Sequence, residues 1–253
     1  MAAAFMTAAT FPADAQQPSR FHEFSTNEVE PNGTGWAFWF IPIGGQADTL
    51  SVKMSYVDRG VKTHDPHHHN PDELFVMIEG ESVVTLNGEE QRLQPGDAFY
   101  AVAQSSHNIS RTDMNAPIKY VMFKRETKGE VPRPYPVALP RYTMKDCYVP
   151  YSEARFSSDS GTGDQHQWLL TPEMTLGGLS ADLRLVSDER LRKPRAYHGQ
   201  QVVFIVEGEA EVTVGKDRQT LHALASAYVP ARQKYTIRKK SGKRLRYILV
   251  RTN

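Results

Sequence analysis

The sequence predicts an all-β protein that consists of two small antiparallel barrels in tandem. Short runs rich in β-branched and aromatic residues alternate with Gly, Pro, Asn and Asp at a spacing of about 8–12 residues, which is typical of a sandwich or barrel. A motif recurs in the second half, and a proline-rich segment separates the two copies. The 253 residues allow one large domain or two small ones, and the repeat favours two.

The strands of the first half are predicted from these apolar runs. Polar turn residues, glycine and proline bound each run, and helical periodicity is scarce. The predicted strands are Trp36–Pro42, Leu50–Val57, Glu73–Ile78, Ser82–Leu86, Ala98–Val102 and Ile118–Arg125.

The second half repeats the first at a constant offset. Gly80 in Ile-Glu-Gly-Glu and Gly208 in Val-Glu-Gly-Glu are 128 residues apart. The terminal strand at 120–125 recurs at 247–251 with the offset shortened by one. Such a unit is too long for a solenoid repeat, so we expect two copies of one β-domain.

The segment 128–140 contains four prolines, which remove backbone donors and resist helix and central strand. We therefore predict a first domain at 20–130, a linker at 131–142 and a second domain at 143–253.

Residues 1–19 are excluded from the predicted fold. A small apolar stretch precedes Ala13-Asp14-Ala15, as before the cleavage site of a secretory signal peptide, but no basic residue precedes Arg20. Two alternatives stay open. The segment is either a signal sequence of a periplasmic or secreted protein, or a disordered tail on a cytoplasmic one.

Composition excludes several classes of protein. With 23% charged and 40% hydrophobic residues, the chain is globular and not disordered. The net charge of +1 gives no reason to expect a nucleic-acid partner, and no apolar run is long enough to span a membrane. A single cysteine, Cys147, excludes an intrachain disulfide and a cysteine-rich metal site.

A histidine-rich segment contains the residues with metal-binding chemistry. Strand side chains alternate between faces, so His67 and His69 share one face, and Glu73 has the same parity. His68 has the opposite parity and is expected to point outward. With His107 from a later strand, three imidazoles and one carboxylate would bind one divalent transition metal and leave coordination positions open.

The spacing of these residues resembles that of the cupin superfamily. Its first motif is matched by Gly60, His67, His69, Glu73 and Gly80. In its second motif Gly96 and His107 keep their places, whereas Val102, Gln104 and Arg111 replace the proline, glycine and asparagine of the family.

The resemblance implies a bicupin, with two tandem double-stranded β-helix, or jelly-roll, barrels. It also implies that His67, His69, Glu73 and His107 are the metal ligands, with iron, manganese, nickel or zinc as the ion.

The second copy lacks this ligand set. The offset places Arg195, Tyr197, Gln201 and Tyr235 at the ligand positions, and a guanidinium, two phenols and an amide are poor ligands for a divalent ion. We interpret the second barrel as a structural and dimerising partner. The alternative is a metal-free pocket that binds an anion through Arg195.

Other residues are candidates for contacts with a substrate. Phe75 and Met77 share the parity of Glu73, so they either fill the barrel core or form a pocket wall. Tyr100 and Arg125 are candidates for a proton donor and an anion contact. His64 is a candidate for a supporting or substrate contact, or a loop histidine.

Cupin relatives with this ligand set include dioxygenases, decarboxylases, isomerases and lyases. The resemblance therefore implies a metal-dependent enzyme with a small-molecule substrate, and we expect dioxygenase-type oxidation first. The alternatives are an isomerase or lyase acting on a sugar acid, and a bicupin that stores metal without turnover. We expect a homodimer with no nucleic-acid or membrane partner.

Overall fold

Antiparallel sheets dominate the computed structural model, which describes residues 20–43, 49–61, 63–69, 71–125, 142–159, 164–175 and 178–252. The segment 1–19 and, apart from Tyr142, the predicted linker 131–142 lie outside the described residues. Both alternatives for the N-terminal segment therefore stay predictions.

The strands of the first half are β1 (Phe21–Glu23), β2 (Glu30–Pro31), β3 (Gly35–Ile41), β4 (Leu50–Val57), β5 (Glu73–Glu79), β6 (Ser82–Leu86), β7 (Glu89–Leu93), β8 (Ala98–Ala101), β9 (His107–Arg111) and β10 (Ile118–Arg125). Each of the six strands predicted from the sequence is present, with ends that differ by at most one residue.

The strands of the second half are β11 (Tyr148–Val149), β12 (Ser157–Ser158), β13 (Gln165–Leu170), β14 (Leu179–Val186), β15 (Gln201–Val214), β16 (Asp217–Leu221), β17 (Ala225–Val229) and β18 (Tyr235–Thr252). Helical structure in the described residues is limited to α1 (Met144–Cys147) and 3-10 turns at Thr26–Glu28, Glu153–Arg155 and Pro172–Thr175. No helix there has the length and apolar character needed to cross a membrane.

The all-β prediction of two tandem jelly-roll barrels is confirmed. In the first barrel, a sheet in the order β11-β8-β5-β10-β4-β3-β2 faces a smaller sheet in the order β7-β6-β9. In the second, the order is β1-β17-β15-β18-β14-β13-β12, and β16 pairs with β15. Strand β15 combines the equivalents of β5 and β6, so the two layers of this barrel are continuous.

The backbone hydrogen bonds repeat at the offset read from the sequence. The amide of Gly96 donates to the carbonyl of Met77 at 2.8 Å, and 128 residues later the amide of Leu224 donates to the carbonyl of Ile205 at 2.8 Å. The two halves therefore share one backbone plan.

Glycine is required at equivalent bends in the two halves. Gly80 and Gly208 have φ values of +76° and +88°. A Cβ atom would lie 2.4 Å from the carbonyl oxygen of Pro117 at the first position and 2.5 Å from that of Arg244 at the second. Any side chain would combine a left-handed backbone with a backbone clash.

Strand β5 is buried on both faces, which explains its nearly continuous apolar sequence. One face, with Glu73 and Phe75, lines the first barrel. The opposite face joins a core shared with the second half, where the ring of Phe204 lies 6.0 Å from that of Phe123 and 5.2 Å from that of Phe40.

The two barrels exchange edge strands. Strand β1 of the first half pairs with β17 of the second, with Phe21 opposite Ala227. Strand β11 of the second half pairs with β8 of the first, with Tyr148 opposite Phe99. Each sheet is therefore extended by a segment from the other half of the sequence.

Candidate metal centre

The backbone places two of the predicted ligands side by side at the mouth of the first barrel. His67 precedes β5, and His107 begins β9. Their backbones form an isolated antiparallel bridge, with N–O distances of 3.1 and 2.9 Å. The two strands thereby direct both imidazoles toward the same space.

The side chains of the four predicted ligands converge. One nitrogen from each of His67, His69 and His107 falls within 4.8 Å of the others. The Glu73 carboxylate places Oε1 3.2 Å from Nε2 of His69 and Oε2 3.4 Å from Nε2 of His107. The parity argument therefore brought together residues that are 40 positions apart in the chain.

Backbone acceptors set the orientation of two of the imidazoles. Nδ1 of His69 lies 3.1 Å from the carbonyl oxygen of Pro71, and Nδ1 of His107 lies 2.9 Å from that of Ser105. Each Nδ1 can thus donate its proton to a carbonyl, which leaves the lone pair on Nε2, as in histidine ligands of metals.

These Nε2 atoms are buried and have no hydrogen-bond partner among the described residues. Buried polar atoms without a partner are costly and rare. A divalent cation between the three imidazoles and the carboxylate would satisfy them, so the residues present fit a metal ion.

Burial is graded across the centre. His107 and Glu73 are 1% and 4% exposed, whereas His67 is exposed. Burial and the neighbouring imidazoles of His64, His107 and His69 lower the pKa of His67 to about 4, so it is neutral near pH 7. The centre is closed on the side of Glu73 and open to solvent on the side of His67.

The charge state of Glu73 also suits a metal ligand. Burial alone would raise its pKa, but the imidazoles of His107 and His69 and the ammonium group of Lys124 hold the pKa well below the usual value. The carboxylate is therefore ionised, which binding to a divalent cation requires.

Two lysines stand beside the ligands. Lys124 is the cross-strand neighbour of Glu73, and its Nζ lies 3.2 Å from Oε1 of that carboxylate. Lys53 lies opposite Met122 on the same face, with Nζ 5.3 Å from the ring centroid of Trp39. Burial lowers the pKa of Lys53, while Glu73 opposes and Lys124 adds to this effect.

Sequence reasoning did not select these lysines. The available signal was a charged residue at an inward-facing position of an apolar strand. Using it requires the pairing of β4, β5 and β10, which are distant in the chain.

Aromatic side chains form the inner wall of the centre. The ring of Phe75 lies 6.3 Å from that of His107 and 5.7 Å from that of Tyr120. Burial raises the pKa of Tyr120 to about 12, so its phenol stays protonated. Met77 lies further along the strand, where its sulfur accepts a hydrogen bond from Ser82.

Of the other candidates, Tyr100 and Arg125 are not brought to the ligands. Tyr100 pairs with Leu74 on the opposite face of the sheet and hydrogen-bonds Asp72. The guanidinium group of Arg125 lies over Gly178 of the second half. Their parity differs from that of Glu73 and Lys124, so they face the shared core.

The remaining histidines lie at the mouth. The ring of His64 meets that of His67 edge-on at 4.5 Å, and its Nδ1 lies 3.0 Å from the carbonyl oxygen of Asp65. His68 is exposed and does not belong to the converging group.

The same position in the second barrel holds different chemistry. Arg195 and Tyr235 form an isolated bridge, with N–O distances of 2.9 and 2.8 Å, as His67 and His107 do in the first. The offset of 128 residues thus relates the two sites, while the ligands themselves are replaced.

Comparisons with known proteins agree with this architecture. The family model of the cupin domain matches residues 54–124 and 190–251. A 69-residue stretch is 29% identical to an uncharacterized protein of Methanocaldococcus jannaschii, and the match spans 27% of this chain and about half, 54%, of that relative's length.

Solved structures are similar over nearly the whole chain. AerE from Microcystis aeruginosa has a TM-score of 0.70 at 16% identity, covering 93% of this chain and 100% of that one. A formate complex of oxalate decarboxylase from Lactobacillus farciminis has a TM-score of 0.70 at 13% identity, covering 93% and 86%. Oxalate decarboxylase from Bacillus subtilis has a TM-score of 0.68 at 14% identity, covering 93% and 76%. At these identities the likeness shows the fold alone.

Proposed function

Since the chain belongs to the cupin domain family, we propose that it is a metal-dependent enzyme that converts a small organic anion. His67, His69, Glu73 and His107 would hold one iron, manganese, nickel or zinc ion. The ion would supply Lewis-acid chemistry or, with a redox-active metal, the activation of dioxygen.

The observation that carries the substrate class is the pair of lysines beside the ligands. Lys124 reaches Glu73 at 3.2 Å, and Lys53 lies on the same inner face. Two ammonium groups at a largely buried site would bind and orient a carboxylate or another anionic oxygen. The similarity to an oxalate decarboxylase with bound formate agrees with a small carboxylate.

For the reaction we propose dioxygenase-type oxidation. Both atoms of dioxygen enter the organic product, so the substrate is oxidised and dioxygen is reduced without a further reductant. The chain's part is to admit the anion on the exposed side of His67 and to hold it with Lys53 and Lys124. Phe75 and Tyr120 would exclude water from the inner side of the centre.

An isomerase or lyase acting on a sugar acid is the second candidate. Such a reaction needs a general base near the metal. Lys53 favours this candidate, because burial lowers the pKa of its ammonium group and so makes the neutral amine more accessible.

The test is reconstitution of the full chain with each of the four metals, followed by oxygen uptake with a panel of small phenols and sugar acids. Dioxygenase activity predicts substrate-dependent uptake and incorporation of label from heavy dioxygen, both absent in His107→Ala. Conversion without oxygen uptake, with deuterium gained from solvent, would instead support the isomerase or lyase. One bound metal per chain without turnover on any substrate would contradict both and favour metal storage.

A further inference from the structure

The second barrel contains a pocket lined mainly by cationic and phenolic side chains. Arg184, Arg192, Lys193, Arg195, Tyr235 and Tyr247 line it, together with one threonine and one isoleucine. No carboxylate is found among the described residues of this lining. The pocket therefore has a positive electrostatic potential, which favours an anion.

This pocket stands where the first barrel has its metal centre. Arg195 and Tyr235 occupy the places of His67 and His107 and make the same pair of backbone hydrogen bonds. A fixed guanidinium charge at this position repels a metal cation and offers several N–H donors. The same cavity in the shared plan is thus suited to a ligand of the opposite charge.

Protein carboxylates behind the pocket do not balance its charge. Asp182 pairs with Arg184 at 2.5 Å and with Arg251 at 2.6 Å. Asp159 lies 2.8 Å from Arg184 and 3.5 Å from Arg195. Among the described residues, three guanidinium groups thus share two carboxylates, and Arg195 makes the longest of these contacts.

Neutral donors complete the site. Gln201 occupies the place of Glu73, opposite Arg251, and is 2% exposed. Its Nε2 atom has no hydrogen-bond partner among the described residues. Burial raises the pKa of Tyr235 and of Tyr247, so both phenols remain protonated and can donate hydrogen bonds.

We propose that the second barrel binds a small carboxylate, of the size of acetate or oxalate, at Arg195 and the donors around it. The planar guanidinium fork matches a carboxylate, and the phenols and the amide of Gln201 offer further donors. This site needs no metal and does not depend on the reaction of the first barrel.

The test is calorimetric titration of the metal-free full chain with acetate, oxalate and inorganic phosphate. We expect saturable binding of a carboxylate at one site that Lys124→Gln, in the first barrel, leaves intact. Arg195→Gln should weaken it at least tenfold, because a charged hydrogen-bond partner is lost. Arg190→Gln is the matched control, since Arg190 is exposed and pairs with Asp188.

A second variant protects the test against misfolding of Arg195→Gln. Gln201→Glu preserves shape and introduces a carboxylate that competes for the guanidinium groups, so it should also weaken binding at least tenfold. No saturable binding, or binding of phosphate alone, would overturn the proposal. Binding that Lys124→Gln abolishes and Arg195→Gln leaves unchanged would place the anion in the first barrel and overturn it as well.

Discussion

The Nζ atom of Lys124 lies 3.2 Å from Oε1 of Glu73, its cross-strand neighbour between β10 and β5. One carboxylate is thus shared between a permanent cation and the proposed metal position. Because the charge of Glu73 is already partly neutralised by Lys124, a bound divalent ion would leave the centre with excess positive charge, which favours an anionic substrate.

Replacing a ligand should remove the metal and leave the protein folded. His107→Ala and His67→Ala should each lower the metal content, about one ion per wild-type chain, by at least about tenfold. His68→Ala is the matched control and should retain its metal, because that side chain is exposed and outside the group. Elemental analysis with far-UV circular dichroism provides the measurement. Loss of metal in His68→Ala would refute the parity argument.

Replacing the lysines should weaken substrate binding more than metal binding. Lys53→Gln and Lys124→Gln should each raise KM by about tenfold or more, since a charge-assisted hydrogen bond contributes about 1.5–3 kcal/mol. Lys119→Gln is a control on the same strand as Lys124, because Lys119 pairs with Glu79. Steady-state kinetics on variants of equal metal content would test this. Unchanged KM in both variants would remove the case for an anionic substrate.

The metal-free protein should lose stability in acid through His67. Its pKa is about 4 in the folded chain and about 6.5 in the unfolded one, so between these values the unfolded chain binds the additional proton. The contribution of His67 to the free energy of unfolding is therefore highest above pH 6.5 and falls until pH reaches about 4. Urea unfolding at pH 7.5, 5.5 and 4.5 should show a weaker acid dependence in His67→Gln than in wild type. An equal change in His68→Gln would point to a general charge effect.

The bend at Gly208 should tolerate no side chain. Gly208→Ala should lower the free energy of unfolding by at least about 1 kcal/mol more than Gly242→Ala. Both residues have positive φ, but a Cβ atom would lie 2.5 Å from a backbone oxygen at Gly208 and 3.9 Å from one at Gly242. Chemical denaturation measures the difference, and equal losses would mean that the backbone relaxes around the new methyl group.

The sequence predicted the strands and the repeat because both depend on local patterns. Alternation along one strand is sufficient to place His67, His69 and Glu73 together. The pairing of strands is not local, and it decides which residues of β4, β8 and β10 face the centre. For this reason Lys53 and Lys124 were missed, while Tyr100 and Arg125 were selected although they face the shared core.

The edge strands were also beyond prediction. Strands β1 and β11 have only three and two residues, too few for any periodicity, and each depends on a partner from the other half. The expected homodimer stays a prediction, because the structure describes one chain.

The exchange of these edge strands has an evolutionary consequence. Phe21 opposite Ala227 and Tyr148 opposite Phe99 are related by the repeat itself, so the exchange is reciprocal, as in a two-fold symmetric pair. A single-barrel ancestor could have made the same contacts between two separate molecules. Gene fusion would then have joined an existing dimer into one polypeptide. After fusion, selection could act on each copy separately, so one barrel could retain the histidines while the other acquired arginine.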